Sequence, residues 1–268
     1  MRRHLMPALV MAAVLSLGVT AIASATQTTA RVGNLVLTFG GNISPKQLPR
    51  NEYVPIASNV FGKIATSDSA THPPPSAFRE TVIDVDKDIR VNVKGYPTCS
   101  EGKLTARNTA AALKVCGNSV LGEGLAHAGI AFPEQPEIKV TSPITIFNGG
   151  EKGGKVTLLI HTFITVPAPA AIVTTVTISR KGSGLHTVAK IPVIAGGSGS
   201  VLDFSFKLGK TYSYKGKKIG YLEARCPDGA FQVSAPKTVF KNEAKESGGA
   251  SQTVLKNVKL AIPCTPKG

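Results

Sequence analysis

From Val32 onward the chain runs in short stretches of alternating apolar and polar residues, separated by clusters of Gly, Pro, Asn and Ser. Alternation with a period of two places successive side chains on opposite faces of a strand, so each stretch reads as a β-strand with one apolar face. Val32 to Phe39 sets Leu35, Leu37 and Phe39 on one side. Thr81 to Lys94 sets Ile83, Val85, Ile89, Val91 and Val93 on one side and Asp84, Asp86, Asp88, Arg90 and Asn92 on the other. Lys87 interrupts the apolar side and predicts a turn at Lys87-Asp88. Val201 to Leu208 predicts Leu202, Phe204, Phe206 and Leu208 facing inward. Tyr53 to Thr66 reads as one strand, or as two broken by a turn at Gly62. Further strands are predicted over Val120 to Ile130, Ile138 to Phe147, Lys155 to Val166, Ile172 to Arg180 and Leu185 to Ile194. Tyr212 to Tyr214, Lys218 to Cys226, Phe231 to Phe240 and Thr253 to Ile262 complete the set.

Helical periodicity occurs once, from about Thr105 to Val115. Ala106 and Ala110 to Ala112 favour a helix, Thr105 or Asn108 can cap its start, and Gly117-Asn118 can end it. No repeat of the solenoid kind occurs. The pattern therefore predicts a mainly β fold, antiparallel and β-sandwich-like, with one short helix in a disulfide-closed loop. The β region, residues 26–268, is one large unit or two packed subdomains, 26–131 and 137–268, joined by Phe132-Pro133-Glu134-Gln135-Pro136. His72-Pro73-Pro74-Pro75 and Lys241 to Ser251 read as exposed loops.

The N-terminus changes the setting. Arg2 and Arg3 precede an apolar run, Ala8 to Ala23, which ends in Ala23-Ser24-Ala25. That is the layout of a signal peptide, residues 1–25, and predicts export by the secretory or twin-arginine route and an extracellular or envelope location. The exported part carries 29 basic and 16 acidic residues, a charge of +13. Val156 to Ser179 lacks Asp, Glu, Lys and Arg, but its threonines and the Pro167-Ala168-Pro169 turn favour a β-hairpin. No transmembrane helix is expected in the exported part; a membrane-inserting hairpin is an alternative for this stretch.

All four cysteines, Cys99, Cys116, Cys226 and Cys264, lie in the exported part. An even number in an oxidising compartment predicts two disulfides. Of three possible connectivities, the near pairs Cys99–Cys116 and Cys226–Cys264 are preferred. No C-x-x-C spacing favours zinc.

No catalytic motif is present, so a non-enzymatic protein without a cofactor is expected. Asp84-x-Asp86-x-Asp88 has the spacing of the first ligands of a calcium loop. An EF-hand needs Gly and Glu where Ile89 and Gly95 stand. His72, His127, His161 and His186 are isolated from one another in sequence. Ser198 sits in Gly197-Ser198-Gly199-Ser200, which lacks the final glycine of a nucleophile elbow, so a hydrolase built from Ser198 with His161 or His186 has little support. The densest chemistry is basic. Lys207, Lys210, Lys215, Lys217 and Lys218 interleave with Tyr212, Tyr214 and Tyr221, and no acid occurs between Asp203 and Glu223. Residues 207–268 hold twelve basic and four acidic residues, +8 of the total. Such a patch attracts polyanions, and lysines act there as point charges. An anionic envelope or extracellular polymer is the expected partner; nucleic acid is not expected for an exported chain.

Several local contexts occur together: Leu48-Pro49-Arg50 with Pro55-Ile56; Gly95-Tyr96-Pro97-Thr98-Cys99; Cys116; Phe147-Asn148-Gly149; Tyr214-x-Gly216; Tyr221 through Gly229; and Ile262-Pro263-Cys264. In these the chain resembles a family of uncharacterised exported proteins of high-GC Gram-positive bacteria. The resemblance implies export and a single architectural unit, and no activity.

Overall fold

The computed structural model describes residues 26–67, 77–132, 135–241 and 252–268. The predicted signal peptide, the His72-Pro73-Pro74-Pro75 loop, Pro133 and Glu134 of the linker and most of the Lys241–Ser251 loop lie outside them.

The elements in chain order are β1 (Gln27–Val32), β2 (Leu35–Ser44), β3 (Gln47–Pro49), β4 (Val54–Thr66), β5 (Ala77–Val85) and β6 (Ile89–Val91). The helix α1 (Thr109–Cys116) follows, then β7 (Val120–Ile130), β8 (Ile138–Lys152), β9 (Lys155–Ile164), β10 (Ala170–Lys181), β11 (Gly184–Lys190) and β12 (Gly199–Leu208). The chain ends with β13 (Thr211–Tyr214), β14 (Lys217–Gly220), β15 (Leu222–Ala224), β16 (Ala230–Lys241), β17 (Gln252–Pro263) and β18 (Thr265–Lys267). The fold is mainly antiparallel β with one short helix in a disulfide loop, as the alternation predicts.

One hydrogen-bonded path runs β1-β2-β4-β12-β7-β8-β9-β10-β11-β5-β16-β17, and every pair along it is antiparallel. β1 and β17, at the two ends of the path, lie against each other, so the sheet curls into a nearly closed barrel. The two layers of a sandwich are here the opposite walls of one curved sheet. Strands from both sides of the predicted linker alternate in it: β12 lies between β4 and β7, and β5 lies between β11 and β16.

Closure satisfies the backbone groups strand by strand and turns one face of every strand inward. The main core joins Ile43 and Ile56 to Ile144, Ile146, Leu158, Val176, Val233 and Leu260, all buried. The outward positions carry the charge. Lys237 pairs with Glu80, Lys181 with Asp84, and Lys207 and Glu123 lie opposite each other on β12 and β7. This is the reverse of a lipid-embedded barrel, which has an apolar outer band. The Val156 to Ser179 stretch forms neighbouring strands β9 and β10, and Leu158, Ile160 and Ile164 face the interior. Among the described residues no helix is long and apolar enough to cross a membrane.

Three local differences from the sequence expectations have physical causes. Gly62 makes no turn; β4 runs through it, and the Phe204 ring lies 2.7 Å from where a Cβ would stand. Small and large residues thus fill each other's space across the β4–β12 pair. A bulge between Val201 and Asp203 brings Val201, in place of Leu202, to the interior. The predicted turn at Lys87-Asp88 does divide β5 from β6. The helix begins only at Thr109, because Ala106 adopts a left-handed φ of 66°, and Asn108 caps it by accepting from the Ala111 N–H at 2.9 Å.

The two ends of the barrel differ. The connections 165–169 and 191–198 lie at one end. At the other are the hairpin β13–β14, β15 and the Cys226–Cys264 disulfide, while α1 and the Cys99–Cys116 disulfide pack with Phe147 and Leu159 on the outer wall of β8 and β9. The second disulfide spans 38 residues and the first 17. In the chain-entropy description the longer loop is worth about 4 kcal/mol and the shorter about 3 kcal/mol. Replacing Cys226 and Cys264 with Ser should therefore lower Tm by about 10 °C, more than the same change at Cys99 and Cys116, read by thermal unfolding of each double variant.

Candidate functional site

The basic segment folds as a hairpin set on the disulfide-bearing end. Tyr212 pairs with Ile219 and Tyr214 with Lys217, leaving Lys215-Gly216 as its turn. Lys215 adopts a φ of 50° there, and its ammonium lies 5.6 Å from the Tyr214 ring centroid. Lys210, Lys215, Lys217 and Lys218 are exposed. Lys207 stands apart on the outer barrel wall, between Asn59 of β4 and Glu123 of β7. Among the described residues, none of these five lysines takes part in an ion pair.

The tyrosines anchor the hairpin. Tyr212 Oη–H donates to the carbonyls of Asn92 (3.2 Å) and Lys94 (3.0 Å), and its ring meets Tyr96 edge-on at 4.7 Å. Burial, and then the Glu223 carboxylate, push the Tyr212 phenol above its ordinary value, so it remains a donor. Tyr214 lies over Gly95, which has a φ of 71° and no side chain to obstruct the ring. Tyr96 in turn donates to the Val120 carbonyl at 2.6 Å. Tyr221 is fully buried, and burial drives its phenol far up.

Beneath the hairpin lies a charge cluster that the sequence reading missed. Glu223, nearly inaccessible, accepts from Arg90 Nη2 at 2.7 Å, and Asp88, equally buried, accepts from Arg225 Nε at 2.7 Å. Both guanidinium groups lie over the Tyr53 ring, at 4.2 and 5.1 Å. The signal was present as two mirrored spacings, Asp88-x-Arg90 and Glu223-x-Arg225, which an antiparallel pairing brings face to face. Hydrogen bonds of opposite sign to buried carboxylates are among the stronger ones, so the cluster fixes β15 to β6 and orients the hairpin next to it.

The other candidates separate. Asp84 accepts from His186 Nδ1 at 2.6 Å and Lys181 Nζ at 3.1 Å. Burial raises its pKa, and these two hydrogen bonds outweigh burial and hold it below the ordinary value. Asp86 accepts from the backbone N–H groups of Asp88 and Gln232. The three aspartates thus point to different partners, and among the described residues no three His, Cys, Asp or Glu gather as a metal site. Ser198 lies in the 191–198 connection, its N–H bonded to the Ala195 carbonyl. His186 is engaged with Asp84, and His161 is enclosed beneath the helix-bearing loop, so neither meets Ser198. Several of the local contexts around the cysteines meet: Gly95 and Tyr96 touch the hairpin, Asn148 Nδ2 donates to the Pro97 carbonyl, and Arg50 donates to the Pro227 carbonyl.

His161 Nε2–H donates to the Arg107 carbonyl at 2.9 Å, which leaves Nδ1 as the unprotonated nitrogen. Burial lowers its pKa below 6.5, and the Arg107 hydrogen bond offsets this only in part. The unfolded chain therefore takes up a proton near pH 6.5 that the folded chain refuses, so stability falls as pH drops below 6.5. His161→Gln should flatten the loss of stability between about pH 7 and pH 5, measured by denaturant unfolding; identical pH slopes for both proteins would assign the loss to other groups.

No known protein family matches the chain, and no curated protein or solved structure matches it either.

Proposed function

We propose that this chain is an exported, non-enzymatic binding protein whose basic hairpin docks on an anionic polymer of the cell envelope or its surroundings. The observation that carries this reading is a cluster of exposed lysines, Lys210, Lys215, Lys217 and Lys218, with no ion-pair partner among the described residues, on a hairpin that Tyr212 and Tyr214 fasten to the barrel. Lysines that only maintain solubility need no rigid mounting. A fixed group of point charges favours repeating phosphate or carboxylate groups over a single bidentate ligand. The two disulfides and the export signal support a location outside the cytoplasm.

The test is co-sedimentation of the mature protein with walls of a high-GC Gram-positive bacterium across a salt series. Binding should weaken steeply with salt. Replacing Lys215, Lys217 and Lys218 together with Gln should weaken it by about 100-fold at low salt, at roughly 1 kcal/mol for each lysine near an anionic surface. It should also reduce the salt slope by roughly two to three. These lysines touch no buried group, so Tm should not change. Equal binding by the folded triple variant would overturn the reading.

A further inference from the structure

The barrel is not filled. Its inward side chains enclose a cavity of about 330 Å³. Protein interiors pack densely and leave few voids larger than one water. An engineered apolar cavity of about 150 Å³ already stays dry and binds benzene. A void of the present size, left empty, would forfeit an amount comparable with the whole net stability of a domain. The sequence builds it deliberately in one respect: Ser58, Gly62, Ala126 and Ala128 place small groups on neighbouring walls, where β8, β9 and β10 place Ile144, Ile160 and Val176.

The wall also says what can fill the space. Its polar groups are few, and apart from the Thr174 and Thr187 hydroxyls most are engaged with one another or with the backbone. Thr81 and Thr238 share a hydrogen bond at 2.9 Å. Ser142 donates to the Phe163 carbonyl at 2.9 Å and accepts from the Phe163 N–H at 3.0 Å. His127 is held by Asp203 at 2.6 Å. Water needs two to four polar partners, and these groups have little left to offer it. The cavity follows the barrel axis: Val140 and Ile146, both lining it, lie six residues apart on β8, roughly 20 Å at about 3.3 Å per residue. A volume of 330 Å³ along that length is slender.

From this we infer that the barrel interior is a binding site for one hydrocarbon chain, the acyl or alkyl tail of a lipid-type ligand. Tyr96, Tyr212 and Tyr221 occupy one end of the interior. The head group stays outside. This site is separate from the lysine hairpin and does not depend on it.

The experiment uses the mature, disulfide-intact protein and straight-chain fatty acids of increasing length, displacing a fluorescent polyene fatty acid. One molecule should bind per protein. Affinity should rise about fourfold for each added methylene, the factor equivalent to about 0.8 kcal/mol, and level off once the chain outgrows the cavity. The affinity for the longest chains should be the same at low and high salt. Ala126→Phe and Thr174→Phe, which fill the cavity from β7 and β10, should each weaken binding at least tenfold while leaving the far-UV circular dichroism unchanged. Absence of saturable binding, affinity independent of chain length, loss of binding in high salt, or full binding by both folded variants would each overturn the inference. The chain-length series on the wild-type protein decides the matter without the variants if either fails to fold.

Discussion

Closure of the sheet is the constraint on which the other features depend. An open sheet of this length would leave two long edges and an unsatisfied apolar face. Bringing β17 against β1 sets the two edges side by side and gathers most of the apolar side chains around one axis. Once closed, the alternation of each strand assigns every side chain to the inside or the outside. The charged residues of β5, β7, β11 and β12 then fall outside, where Lys237–Glu80 and Lys181–Asp84 form at the surface and contribute little. The inside is left to hydrocarbon and to hydroxyls bonded among themselves.

The disulfide-bearing end has a different logic. There the chain leaves regular sheet and is held by specific contacts. Glu223 and Asp88 are buried, and each is met by an arginine that reaches in from the surface. Tyr212 ties the lysine hairpin to the Asn92 and Lys94 carbonyls, and Cys226–Cys264 ties the end of β17 to the segment after β15. A basic end and a hollow apolar interior are thus two products of one topology.

The sequence made the strands legible because their signal is local. Ile83, Val85, Ile89 and Val91 line the interior as their spacing predicts, the near cysteine pairs form, and Asn108 caps the helix. What stayed hidden is non-local. Nothing in β12 announces that it pairs with β4, some 140 residues earlier, as Phe206 does with Val60. Nor does alternation register the bulge that exchanges Val201 for Leu202, or say that the inward residues fall short of filling the space they enclose. The basic hairpin was visible, but the tyrosines within it looked like part of a ligand surface. Their hydroxyl and ring partners, Asn92, Lys94 and Gly95, lie over a hundred residues away, and only the fold brings them together.

The central claim is that the barrel is nearly closed, apolar within and hollow. Xenon tests it directly, because it enters dry apolar cavities and has no affinity for charge. Methyl-resolved NMR of the protein under xenon should show the methyls of Ile144, Ile160 and Val176 shifting with pressure, while those of the outward Leu125 and Val166 stay in place. Shifts confined to the exposed methyls, or none at all, would contradict it.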